Sequence, residues 1–168
     1  MIPIAPLARE LRLEGAGSVV IGVGGLVASI ALGASPARAL VPFAVAAVAL
    51  AAVQAAIGHR WYVGAVADAG PPDEDATIET PQDTTRRTLV KLSVYVLLVV
   101  ILLIVGREFG AVLGGLLVGI GLVDLYTSRW AERLAADGET IYRELGSWPF
   151  ASGRRPLYRR MSASTEAM

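Results

Sequence analysis

The chain has 168 residues, 15 basic and 15 acidic side chains, a formal net charge of zero, and 54% hydrophobic residues. Its mean hydropathy of +0.56 is too high for a soluble protein with scattered charges, and its length suits one domain. With no cysteine, disulfides, thiolate metal sites and thiol catalysis are excluded.

The apolar residues come in four runs, 17–34, 39–58, 89–106 and 109–122; the third alone holds an ionised side chain, Lys91, near its start. At about 1.5 Å rise per residue, roughly 20 residues cross a hydrocarbon core about 30 Å thick. The fourth run reaches that length only when extended to Thr127, which draws Asp124 inside its end. Backbone groups in lipid must satisfy one another within the segment, so the runs must be helices. None alternates polar with apolar residues as a barrel strand would. The predicted fold is all-α: an integral membrane bundle of four transmembrane helices with short amphipathic cytoplasmic segments. Its parts are an interfacial segment 1–16, a hairpin 17–58, an acidic Pro-rich loop 59–87, a second hairpin 88–127 and a basic tail 128–168.

In residues 1–16, Pro6 opens LARELRLEG, with Leu7 and Leu11 on one side, as in a short helix lying at the membrane surface. Arg9 and Arg12 before an apolar run, with Ala37-Arg38-Ala39 after it, could mark a signal peptide. The run is long and a second span follows at once, which favours an uncleaved first helix. That helix carries Gly25, Ser29 and Gly33 at intervals of four, a small-residue ridge that lets helix backbones approach closely.

Helix two places Ala44, Ala47, Ala51 and Ala55 on about one face and ends in GHRWY, with His59, the chain's one histidine. Arg38 precedes Arg60-Trp61 by 22 positions and Arg107 precedes Arg129-Trp130 by 22, so an offset of 69 superposes the two hairpins. Duplication would give that spacing. Two crossings of one bilayer give it equally well, and nothing else in the stretches matches.

The middle loop sets Asp68, Asp73, Glu74, Asp75, Glu79 and Asp83 among prolines, the composition of a solvated, poorly ordered segment. It lacks the glycine-turned pattern of a calcium loop, so no metal site is expected there. A docking surface for a cytoplasmic partner is the reading its length suggests.

Helix three is bulky and β-branched almost throughout. Helix four carries two small ridges, Gly110-Gly114 and Gly115-Gly119. Helices one, two and four are therefore expected at the close-packed centre, with helix three facing lipid or another subunit. Lys91 and Asp124 fall at matched depth on neighbouring antiparallel helices, and a clasp between them is the leading expectation. Asp124 reaching Arg86 or Arg87 is the variant. A proton or ion relay is the functional alternative, because intramembrane charge is costly and often functional. Ser29, Tyr95, Ser93 and Gln54 are too few to carry it across.

In the tail, Trp130, Leu134, Ile141 and Leu145 recur at helical spacing, so helix four is expected to continue beyond the membrane with a break at Gly138. Arg154, Arg155, Arg159 and Arg160 then lie among aromatic residues. Next to a membrane they suit anionic lipid better than nucleic acid. Basic residues concentrate before helix one, between helices two and three, and after helix four. Both termini are therefore expected in the cytoplasm.

Three functions are compatible with this reading. The leading one is a non-catalytic accessory or scaffold subunit, in a homo-oligomer or larger complex. The second is a small oligomeric transporter or channel. The third is an enzyme on lipid-linked substrates using His59, Lys91, Tyr95 and Asp124. No cofactor or metal is expected, because the lone His59 forms no recognisable haem, zinc or triad pattern.

Overall fold

The structure, a computed structural model, describes residues 6–71, 77–137, 139–144 and 157–161, with no side chains for 160 and 161. Helix α1 spans Leu7–Ala31 and α2 spans Pro36–Val53. A π-helical turn, Gln54–His59, joins α2 to α3, Arg60–Ala67. Helices α4, Pro81–Val105, and α5, Arg107–Ala136, follow, and strands β1, Glu139–Arg143, and β2, Leu157–Met161, close the fold. Four rods, α1, α2 with α3, α4 and α5, are each long and apolar enough to cross a membrane. The chain is thus an all-α membrane bundle bearing one small hairpin.

Local chemistry sets the ends of these rods. Thr80 and Asp83 form a capping box: the Asp83 N–H donates to Thr80 Oγ1 at 3.3 Å, and the Thr80 N–H donates to Asp83 Oδ2 at 3.2 Å. Pro81 occupies the first turn, where its missing N–H costs nothing. Helix α4 therefore starts eight residues before the apolar run. The rod of α2 also runs on to Ala67, so the connection expected over 59–87 shrinks to residues 68–80. Similarly, α1 starts at Leu7, and most of the segment expected at the interface is the first three turns of the spanning helix. Between α1 and α2, Gly33 has φ +96°, a left-handed conformation that a side chain would strain.

Helices α1 and α5 form the centre: 33% and 39% of their apolar windows are buried, against 6% for the α2–α3 rod and 11% for α4. Buried positions on α1 run Leu7, Leu11, Glu14, Ser18, Gly22, Gly25 and Ser29, steps of three or four that trace one face. Glycines let the backbones touch there. A Cβ at Gly15 would lie 2.8 Å from the Gly121 carbonyl oxygen, and one at Gly121 2.6 Å from that of Gly15. Gly22 and Gly114 face each other's carbonyls in the same way. The second ridge of α5 serves a different neighbour: Gly115 meets the Phe43 backbone and Gly119 that of Ala47, both on α2. Helix α2 thus approaches as closely as its alanines suggest, yet it buries the least surface of the four rods, less than α4.

The tail departs from the sequence reading. Helix α5 stops at Ala136, and Ile141, expected on a continuing helical seam, lies in β1. The run Thr140-Ile141-Tyr142 is β-branched and aromatic, which favours a strand over another helical turn. Gly138 and Leu145 lie outside the described residues. Strand β1 pairs antiparallel with β2, Ile141 opposite Arg159. Single bridges tie the hairpin to the rest: Pro6 with Tyr142, Gly70 with Tyr158 and Ile78 with Glu144. Beneath it Leu7, Leu11, Val66, Ile141 and Leu157 form a buried cluster, with Trp130 and Leu134 packed against it. Ile141 therefore joins the aromatic and aliphatic partners its spacing implied, but from a strand.

Candidate functional site

Helical spacing builds the site. Glu10 and Glu14 stand one turn apart on α1, Arg87 and Lys91 one turn apart on α4, and the two pairs face each other. Lys91 Nζ donates to Glu14 Oε2 at 2.6 Å. Arg87 Nη2 lies 2.8 Å from Glu10 Oε1, Nη1 lies 3.7 Å from Glu14 Oε1, and Nε donates to Glu79 Oε1 at 2.9 Å. From β1, Arg143 Nε donates to Glu10 Oε2 at 2.8 Å and Nη2 donates to the Tyr62 hydroxyl at 2.9 Å. The Arg143 guanidinium also sits 5.4 Å from the Tyr62 ring centroid, within cation–π range. Glu10, Glu14, Glu79 and Arg143 are each at most 4% exposed, and Arg87 is 8% exposed.

These ion pairs join three carboxylates, Glu10, Glu14 and Glu79, to three cations, Arg87, Lys91 and Arg143. Among the described residues the network is neutral and closed. Burial alone would lower the pKa of Arg143, but the charge and hydrogen bond of Glu10 together with Tyr62 outweigh it, and the guanidinium is held above its usual range. Five elements meet here, because α1, α3, α4, the 68–80 connection and β1 each contribute a partner.

Beside the network lies a cavity of about 500 Å³. Glu14, Lys91 and Tyr95 line it from α1 and α4, Trp61 and Tyr62 from α3, and Asp124 from α5. The π-helical turn supplies another wall with Gln54, Ile57 and Gly58. Such wide turns are rare and concentrate at functional sites. A Cβ at Gly58 would lie 2.6 Å from Gln54 Oε1, so the glycine makes room for that amide to fold back along its own helix.

The residues singled out in the sequence separate here. Lys91 and Asp124 line one cavity, but the ion pair of Lys91 runs to Glu14, and no direct clasp with Asp124 forms. Arg87, the other partner considered for Asp124, is taken by Glu10, Glu14 and Glu79. Among the described residues, Asp124 has no ion pair. His59 turns away: its ring stands edge-on to Tyr126 at 5.3 Å and Trp130 at 5.5 Å, with Thr127 Oγ1 3.4 Å from Nδ1. It does not line the cavity with Lys91, Tyr95 and Asp124.

Of the ridge residues, Gly25 faces the Gly110 carbonyl, and buried Ser29 donates its hydroxyl to the Arg107 carbonyl. Gly33 adjoins the Arg107 guanidinium. In the tail Arg159 pairs with Glu139 across the hairpin. Arg154, Arg155 and the side chain of Arg160 lie outside the described residues.

The sequence reading missed Glu10, Glu14, Glu79 and Arg143 as a set. A signal existed for the first two, which fall on the same helical face as Gly22, Gly25 and Ser29. Among the described residues no three histidine or carboxylate groups converge as metal ligands would.

No family model, curated protein or solved structure matches this chain. Its functional reading rests on the site itself.

Proposed function

We propose that the protein is a non-catalytic accessory subunit of a membrane, with both termini in the cytoplasm, that binds a small solute in the cavity beside Asp124. The observation that carries this reading is the position of Asp124. Among the described residues the ion pairs next to it match three carboxylates with three cations and do not include Asp124, so a structural role for the network leaves this carboxylate unused. A lone carboxylate out of bulk water must take up a proton or a cation, and a cavity beside it gives a partner somewhere to sit. The orientation follows from the arginines at the hairpin end of the bundle.

The subunit reading is supported by the outer faces. Helices α2 and α4 bury little within this chain and carry exposed Val41, Val45, Val48, Leu97 and Ile104. Backbone contact between α1 and α5 leaves no lumen along the bundle axis, so movement of the solute across the membrane requires further chains. The enzyme reading loses support, because His59 stacks on α5 away from the carboxylates.

Thermal unfolding of the purified chain tests the proposal. If Asp124 serves binding, Asp124→Asn leaves the ligand-free Tm unchanged or raises it, because an uncompensated charge has been removed. It also abolishes any solute-induced rise in Tm. A clear drop in the ligand-free Tm would return Asp124 to a structural role. A stoichiometric second protein in particles isolated from native membranes is expected, and turnover of a lipid-linked substrate by the isolated chain would contradict the reading.

A further inference from the structure

We propose that the cavity takes an organic cation, an ammonium group carried on an apolar or aromatic body, with Asp124 as its counter-charge. This rests on the binding reading above and names the class of solute. The charge balance of the lining points to it first. Glu14 and Lys91 cancel across 2.6 Å, which leaves the Asp124 carboxylate as the net charge of the wall. An anion would have to displace Glu14 from Lys91 while facing Asp124. With a neutral solute Asp124 takes up a proton, whereas an ammonium group pairs with it as the carboxylate.

Size and lining narrow the class further. A cavity of about 500 Å³ has room for a substituted ammonium group and the apolar body that carries it. Three aromatic side chains, Trp61, Tyr62 and Tyr95, line it. Quaternary and substituted ammonium groups are recognised by such surfaces because the ring quadrupole attracts charge without demanding hydrogen bonds. Tyr62 already holds one cation this way, the Arg143 guanidinium. A bare divalent ion fits poorly: it wants six or more oxygen ligands, and the lining lacks that cage. Gln54 adds one amide that can accept from a ligand N–H. Trp61 is 39% exposed and therefore stands at the edge, where an amphiphile could enter.

The ion pairs themselves do not require all of these features. Trp61 and Gln54 form no ion pair, and the π-helical turn is not needed to connect α2 to α3. Together with the unpaired carboxylate they form a site with one charge, several ring faces and room for a body of drug-like size.

Isothermal titration of the full-length chain in mild detergent tests this with three probes of one shape. These are benzyltrimethylammonium, its neutral carbon isostere and phenylmethanesulfonate. Saturable binding of the cation alone is expected, weakened about tenfold or more by Asp124→Asn and retained by Asp124→Glu. Trp61→Leu should weaken it by several-fold without moving the ligand-free Tm. No saturable binding of the cation overturns the assignment, as does cation binding that Asp124→Asn leaves unchanged. Equal binding of the neutral or anionic probe, lost in Asp124→Asn, sinks the cation class and leaves the cavity as a binding site. If no probe binds and Asp124→Asn also lowers the ligand-free Tm, both readings fall together.

Discussion

Helix α1 is held to α5 at its middle by glycines and to α4 at its hairpin end by charges, and the two regions solve different problems. Around Gly22 and Gly114 the backbones touch, no side chain intervenes, and attraction is dispersion between close surfaces, because lipid offers no hydrophobic drive. Around Glu14 and Lys91 the helices are bridged by long side chains that also reach Glu79 in the connection and Arg143 in β1. The glycine contacts join helices to one another, α1 to α5 and α5 to α2. The charged region recruits a loop and a hairpin onto the bundle, and its reach leaves a cavity that the glycine region cannot contain. Close packing thus fixes the bundle, whereas the ion network assembles the site.

The comparison breaks most visibly at Arg87. Arg87→Met removes the cation that Glu10 and Glu79 share and should cost about 3–5 kcal/mol in unfolding free energy, as loss of one member of a buried network does. Denaturant unfolding in detergent micelles measures it. Next is overpacking at the middle: Gly114→Val drives a side chain into the Gly22 carbonyl and should cost about 1–3 kcal/mol, or prevent folding. Gly24 sharpens that test, because nothing lies within 4 Å of where its Cβ would be. Gly24→Ala should be neutral or stabilising by up to about 1 kcal/mol, from helix propensity alone. The smallest effect belongs to the exposed pair Arg12–Glu132, where Arg12→Gln should change stability by about 0–1 kcal/mol and lose even that in salt.

Much of the fold was legible because lipid restricts what a chain can do. Four apolar runs could only be helices, and of the ridge residues on α5, Gly114, Gly115 and Gly119 face partner backbones whereas Gly110 faces the Leu103 side chain. The hairpin was less legible. Trp130, Leu134 and Ile141 share one cluster, so their spacing carried a true contact. Whether Ile141 reaches it from helix or strand depends on its pairing with Arg159, 18 positions away in sequence. The site was hidden for a related reason. Matched depth alone made Lys91 and Asp124 look like partners, while Glu14 was read as part of a surface segment. Once α1 is continuous from Leu7, Glu14 lies deeper in the bundle and closer to Lys91 than its place in the sequence suggests. Glu79 and Arg143 lie outside the apolar runs altogether, where no hydropathy pattern announces burial.

The central claim is that Lys91 belongs to Glu14 and that Asp124 stands outside the network. Double-mutant cycles of unfolding free energy measure this directly, pairing Lys91→Gln first with Glu14→Gln and then with Asp124→Asn. The structure leads to a coupling of about 2–3 kcal/mol for Lys91 with Glu14 and less than about 1 kcal/mol for Lys91 with Asp124. The reverse order, with Asp124 the stronger partner, would contradict the network and the cavity reading built upon it.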